Sequence, residues 1–233
     1  MTIEQEEVRK RLKYLSRAYL DAQKYRCSYD NRLGSVGKLF DGEHVVVKNK
    51  EGEVIFEEQL LEPIVSPRDF DSWKIFFDEH VSLLKNVEVR IQDAMKKELK
   101  EEPLWTEWLI KVKGVGPVIA SSVIGEIGDI HRFDKTSNLW SYAGLSVVNG
   151  KAKKRTRGEK ANWNQNLRLA LWKFGESIIK QKNARYRDFY DTRKAYEQEN
   201  HPDLSKGHIH NRTLRYVEKK FLSDLKYKWL EIE

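Results

Sequence analysis

The chain has 233 residues, 39% hydrophobic and 34% charged. That balance belongs to a globular protein and excludes a disordered chain. No apolar run approaches the ~18 residues that a membrane span needs. The N-terminus, MTIEQEEVRK, has no apolar segment, so no signal peptide is expected. The single cysteine, Cys27, excludes an internal disulfide and a cysteine-based metal site. Together these features predict a cytoplasmic protein, with no membrane partner. The net charge of +7 is unevenly spread: residues 151–233 hold 21 basic and 11 acidic residues, whereas residues 1–150 hold 22 and 25. The C-terminal third thus carries the whole positive excess, which points to a polyanion, most economically nucleic acid. A solvated charged surface is the alternative.

Val8, Leu12, Leu15 and Tyr19 share one helical face and predict a helix over 3–26. HVVVK and EVIFE, separated by NKEG, predict a β-hairpin over 44–57. The acidic residues that flank it, Asp41, Glu43, Glu51 and Glu53, read as its polar face. After Pro63 and Pro67, a stripe of Phe70, Trp73, Phe77, Val81, Leu84, Val87, Ile91 and Met95 predicts a long helix. So narrow a stripe needs a helical partner, either the N-terminal helix or a second copy of the chain, and a homo-oligomer is expected. Pro103 opens a new segment, which divides the chain into a helical and hairpin region, 1–100, and a second domain, 101–233, where the candidates for DNA binding set out below lie.

Within that domain PLWTEWLIKV is a short helix, KGVGP a tight turn and PVIASSVIGEIG a second helix. A further short helix begins near Asp134, read as its N-cap. A hairpin follows around Asn149-Gly150. Three more helices are expected, with Leu167, Leu171, Phe174 and Ile178, then Tyr186, Phe189, Tyr190 and Tyr196, then Leu214, Val217, Phe221, Leu225 and Trp229 as their apolar positions. The tryptophans at helical spacing, including Trp105, Trp108, Trp140 and Trp172, read as core. The fold class is mainly α: a helical bundle with a helix-hairpin-helix motif, a long coiled-coil-like helix and one or two small β-hairpins.

The turn is the most informative segment. Gly114 and Gly116 are read as supplying the positive φ of a tight inter-helix hairpin, Val115 as an anchor into the core, and Pro117 as the first residue of the next helix. Such a turn aims backbone N–H groups and a helix N-terminus at an anion, and Lys111 and Lys113 add charge beside it. The geometry resembles a helix-hairpin-helix motif, whose turn contacts the DNA backbone without reading bases. The hairpin KAKKRTRGEK supplies a second basic element, with Lys151, Lys153, Lys154, Arg155, Arg157 and Lys160, and Arg168 extends the patch. A basic two-stranded ribbon can follow a phosphate backbone or enter a groove. His208 and His210, at i and i+2 on a helix, make a poor metal pair, and neither a metal site nor a cofactor is expected.

Over residues 109–145, LIKVKGVGPVIASSVIGEIGDIHRFDKTSNLWSYAGL, the chain resembles the C-terminal domain of the insertion-sequence 110/116/902 transposase family, related to the Piv-type DNA invertases. The residues that carry the resemblance are Gly114, Gly116, Pro117, Ala120, Glu126, Gly128, Asp129, Arg132, Phe133, Ala143, Gly144 and Leu145, in the family's order; the later helices extend it to roughly 103–230. Two departures stand out. Full-length members carry an N-terminal RuvC-like domain that opens on a strand with a metal-binding Asp, whereas this chain opens on a helix. The family also places a catalytic serine a few residues after AGL, just before a Gly-rich turn. Here Ser146 follows Leu145 directly and has no evident general base, so it is the single candidate nucleophile.

The resemblance therefore implies a nucleoid-associated DNA-binding protein of transposition or recombination, without cleavage activity of its own. An active recombinase is the first alternative, using Ser146 or a partner RuvC-like chain, with a guide RNA as a further possible partner. An RNA-binding or structural helical protein is the second.

Overall fold

A computed structural model describes residues 2–41, 44–48, 54–59, 67–148, 151–152, 158 and 161–233. The architecture is mainly helical, as expected. Along the chain run α1 (Ile3–Asp41), β1 (His44–Lys48), β2 (Val54–Gln59), α2 (Pro67–Leu99), α3 (Pro103–Glu107), a 3-10 turn (Leu109–Lys111), α4 (Pro117–Ile127), α5 (Thr136–Tyr142), β3 (Val147–Val148), β4 (Lys151–Ala152), α6 (Gln165–Lys180), α7 (Ala184–Asn200) and α8 (Lys206–Ile232). The strands form two separate antiparallel pairs, β1 with β2 and β3 with β4. The chain divides into two compact units, one of residues 18–91 and one of residues 1–17 with 92–233. The divisions fall inside α1 and α2.

In the 18–91 unit, α1 and α2 lie antiparallel. Within this unit, buried and half-buried Tyr19, Ala22, Arg26, Tyr29 and Leu33 of α1 follow one another by three- and four-residue steps, continuing the series of Val8, Leu12 and Leu15 earlier in the helix. The helix continues well past residue 26 because that pattern does. Arg26, a charged residue in an apolar series, conceals the continuation in the sequence. Its partner is Glu88, which occupies the matching position of α2 and accepts from Arg26 Nε at 2.6 Å. Val81 is buried, Phe77, Leu84 and Ile91 are half-buried, and Trp73 is exposed. A polar layer of this kind costs stability but penalises other registers of the two helices. Beyond it, the Tyr29 ring stacks on His80 at 5.1 Å and meets Phe77 at 5.9 Å. The long stripe thus finds its partner in the N-terminal helix. The β1–β2 hairpin pairs His44 with Gln59 through Lys48 with Val54, with a register irregularity at Val47/Lys48; its turn lies outside the described residues.

The larger unit is built around α4, α6 and α8. Residues 120–127 of α4 are all buried. Leu167, Leu171, Phe174 and Ile178 of α6, and Leu214, Val217, Phe221, Leu225 and Trp229 of α8, are at most 1% exposed. Phe221 is the hub: it stacks on Phe174 at 4.0 Å and meets Tyr186 at 5.8 Å and Trp108 at 5.9 Å. Trp172, expected in the core, is 44% exposed, because the apolar face of α6 is set by the positions on either side of it. At Gly125 an added Cβ would lie 2.5 Å from the backbone nitrogen of Lys13, so α1 approaches α4 where a side chain is missing.

Two buried ion clusters join the helices. Arg9 donates to Glu102 at 2.9 and 3.1 Å and to Glu233 at 2.6 Å, and its guanidinium lies over the Trp229 ring. Glu126 accepts from Arg17 at 2.7 and 3.1 Å, from Asn164 at 2.7 Å and from Asn166 at 3.2 Å. Asn164 also accepts from the Leu167 amide, capping α6, and donates to the Tyr142 hydroxyl. Burial pushes the Glu126 carboxyl upward, but the bonds from Arg17 and Asn164 outweigh it and hold the group below the usual carboxylate range. The N-cap of α5 is Lys135 and not Asp134; the Asp134 carbonyl instead accepts from Lys226.

Candidate nucleic-acid interface

The KGVGP turn follows a 3-10 turn, because α3 ends at Glu107 and the chain tightens over Leu109–Lys111 before it reverses. The reversal closes with the Val115 amide donating to Val112 O at 2.9 Å. Val115 is buried, as an anchor should be, and Pro117 opens α4. Gly114 has φ 99°, the left-handed region that favours glycine. Gly116 differs from expectation: its φ is −95° and ψ 176°, an extended N-cap with open space where a Cβ would be. One left-handed residue is enough because the 3-10 turn has already redirected the chain.

The α6–α7 corner holds this turn in place. Ser177 Oγ donates to Gly114 O at 2.7 Å and Asn183 Nδ2 to Lys113 O at 2.8 Å. Asn183 also caps α7, accepting from the Tyr186 amide at 3.1 Å. It can do both because Lys182, in the left-handed conformation at φ 51°, separates α6 from α7 by a single tight step. Together they enclose an open cleft of about 710 Å³. Lys111 and Lys113 line one side, Lys182 and Arg185 the second, and Tyr227 and Lys228 of α8 the third, with Trp108 and Tyr186 between them. Its one carboxylate, Asp224, accepts from Arg185 at 3.1 and 3.2 Å and from the Tyr186 hydroxyl at 2.9 Å. Burial and the neighbouring Asp224 push the Tyr186 hydroxyl well up, so it remains a donor. Lys228 pairs with Glu231. Lys111, Lys113 and Lys182 are exposed, with no carboxylate within 4.0 Å among the described residues. A cationic cleft whose lysines remain available, beside a glycine turn, has the chemistry of a phosphate site.

The other expected site residues are more dispersed. Lys151 lies in β4, whose backbone pairs with Val148. Lys153, Lys154, Arg155, Arg157 and Lys160 lie outside the described residues. Arg168 is on α6, and its Nη1 donates to the buried Glu218 at 2.7 Å. Burial nevertheless leaves the Glu218 carboxyl above the usual range. Ser146 precedes β3, and its Oγ is buried with no hydrogen-bond partner among the described residues. His210 bridges the Tyr190 hydroxyl at 2.7 Å and Glu176 at 3.1 Å, and groups of three or more potential metal ligands are absent among the described residues. Lys182, Arg185 and Lys228 escape sequence reasoning because they reach the cleft from segments some 70 to 115 positions beyond the turn. The positive excess of residues 151–233 was their only trace.

Residues 106–191 match the model of the Transposase IS116/IS110/IS902 family. The matched segment runs from the end of α3 into α7 and takes in the turn and the Glu126 cluster's contributions from α4, α5 and α6; α8 lies beyond it. The resemblance carried by KGVGP through AGL falls inside it. The chain matches no curated protein. No helix among the described residues is long and apolar enough to cross a membrane.

Proposed function

We propose that the protein binds duplex DNA through its phosphates, in the transposition or recombination of an insertion sequence, and does not cut DNA itself. The observation that carries this reading is the cleft: lysines from three separated segments converge beside a glycine turn, with the local carboxylate already occupied by Arg185 and Tyr186. The basic residues of 151–160 add further phosphate contacts. The absence of cleavage is supported by the chemistry of the groups present. Ser146 Oγ is shielded and bonded to no described base, whereas an attacking hydroxyl needs one within reach. Most of the buried carboxylates are committed to arginines through both oxygens or several bonds: Glu126 to Arg17, Glu102 and Glu233 to Arg9, Glu197 to Arg193 and Arg212; Glu218 is held by Arg168 through one oxygen. A titration of duplex DNA at several salt concentrations tests the first claim. With about five phosphates neutralised, log affinity should fall against log salt with a slope of about −4.5, and a flat dependence would refute it. Incubation of supercoiled and branched DNA with magnesium or manganese tests the second. Nicking that is lost in Ser146→Ala, with binding retained, would make the chain a serine recombinase instead.

A further inference from the structure

A second cationic site lies between α7 and α8, beside the β3–β4 pair. It is a pocket of about 200 Å³ whose charged lining is Arg193, Arg212, Arg215, Lys219 and Glu197. Four cations thus face one carboxylate. Glu197 is already shared by Arg193, at 2.5 and 2.9 Å, and Arg212, at 2.7 Å. Arg215 and Lys219, one helical turn apart on α8, have no carboxylate within 4.0 Å among the described residues. Glu218, between them in sequence, is bonded by Arg168. Among the described residues Arg215 donates to the carbonyls of Gly144 and Ser146, at 3.3 and 3.4 Å. Lys219 stands over the Trp140 ring at 5.1 Å. Both are half-buried. Burial, with Arg168 beside Arg215 and Arg215 beside Lys219, lowers both pKa values. Half-buried cations are ordinarily paired; here Glu218 attracts Arg215 only from beyond ion-pair distance, and two adjacent cations with no carboxylate in contact among the described residues form a site that an anion would complete.

A largely apolar groove adjoins this pocket and shares Arg193 and Tyr216 with it; Phe189 and Tyr196 form its further wall, with Asp188 and Thr192 completing the lining. Tyr196 is 48% exposed. The Arg193 guanidinium lies over the Tyr196 and Tyr216 rings, at 4.6 and 5.1 Å. An anion site joined to an aromatic wall matches a phosphate with its attached base. A base can present its face to such a wall only when it is unstacked.

We propose that the α7–α8 groove binds one nucleotide of an unpaired DNA strand, its phosphate held by Arg215 and Lys219 and its base against Tyr196 and Phe189. The choice of DNA over RNA rests on the duplex-DNA reading; the nucleotide site itself does not.

The test is fluorescence anisotropy of the full chain with labelled oligothymidylate, the same oligomer with abasic sites, oligouridylate and duplex DNA, alongside thermal unfolding. Arg215→Gln should weaken oligothymidylate binding about tenfold or more while duplex binding through the KGVGP cleft changes little. Its melting temperature should hold or rise, because burial and the neighbouring Arg168 disfavour this charge more than the distant Glu218 favours it. Lys219→Gln reads the same pocket should Arg215→Gln not fold. Tyr196→Ala should weaken oligothymidylate by roughly five- to a hundredfold and leave the abasic oligomer unaffected. Unchanged oligothymidylate binding in both α8 variants would overturn the proposal, as would a destabilised Arg215→Gln that binds normally, which would make Arg215 a structural clamp on residues 144–146. Equal affinity for the abasic oligomer would overturn the base half, and preference for oligouridylate the choice of DNA. Loss of duplex binding alone would refute the proposed duplex reading and leave the nucleotide site standing.

Discussion

Removing Lys111, Lys113 and Lys182 together, each changed to Ala, isolates the cleft's share of DNA binding. All three side chains are exposed and line the same cavity. Each phosphate neutralised contributes about −0.9 to the slope of log affinity against log salt, so the slope should flatten from about −4.5 to about −1.8. Because this term vanishes as salt nears 1 M, the same arithmetic gives a loss of about 500-fold at ~0.1 M and almost none at the high-salt end. The fold should be untouched, since exposed substitutions of this kind cost within about 0.5 kcal/mol each. Anisotropy titrations of a labelled duplex across salt concentrations read the slope, and a matched variant with Lys24, Lys74 and Lys85 changed to Ala controls for net charge. These three are exposed in the 18–91 unit. An unchanged slope in the cleft variant would refute the reasoning. An equal flattening in the control would show that overall charge, not the cleft, attracts DNA.

The two turn glycines should separate. Gly114→Val meets φ 99° and the Ile178 backbone at 3.3 Å and should cost about 1–3 kcal/mol or more by urea denaturation, whereas Gly116→Val, extended and with open space, should cost about 1 kcal/mol or less. Gly125→Ala gains about 1 kcal/mol of helix propensity but drives a methyl into the Lys13 backbone, 2.5 Å away, and should be net destabilising, since overpacking of this severity costs about 1–3 kcal/mol and a helix backbone cannot rotate aside. The Glu126 carboxyl titrates lower in the folded protein than the ordinary 4.5, so its contribution is complete above that value and disappears as pH falls through the folded pKa. Urea midpoints measured from neutral to acid pH should show part of the acid loss missing in Glu126→Gln, which should also be weaker than the parent at neutral pH.

The periodic parts of this fold are legible in the sequence, and the exceptions have identifiable causes. The inward faces of α6 and α8 follow directly from apolar spacing. The second half of α1 is hidden because its seam admits Arg26, and only the facing Glu88 shows that the charged residue belongs there. Asp134 is a good N-cap by type, yet α5 starts two residues later, with the Asp134 carbonyl tied to Lys226 from a helix some 90 positions away. Val115 and Pro117 play the parts their chemistry suggests. The extended Gly116 could not be read, since glycine permits either sign of φ and the preceding 3-10 turn decides which is needed. The half of the cleft formed by Lys111 and Lys113 adjoins a recognisable turn. The half formed by Lys182 and Lys228 depends on how α7 and α8 pack, which local pattern does not encode.

The positive excess of the C-terminal third is also less uniform than its arithmetic suggests. From residue 161 onward, Arg168, Arg185, Arg187, Arg193 and Arg212 each pair with a carboxylate, in bonds that join α6, α7 and α8 to one another or brace a single helix. Planar, multiply donating guanidinium groups suit such partly buried pairs. Lys182, Lys194, Lys206, Lys219 and Lys220 have no carboxylate within 4.0 Å among the described residues. Most of these arginines brace helix packing and most unpaired lysines supply surface charge, with the buried Lys226, bonded to the Asp134 carbonyl, a lysine that also serves packing. An ammonium on a flexible stem follows a phosphate backbone without the fixed bidentate geometry that reads a base edge. On the proposed reading, a cleft of lysines would give affinity to any duplex rather than choice among sequences. Arg215 is the arginine that breaks this division, half-buried and without a carboxylate, and for that reason its pocket stands apart from the rest of the basic surface.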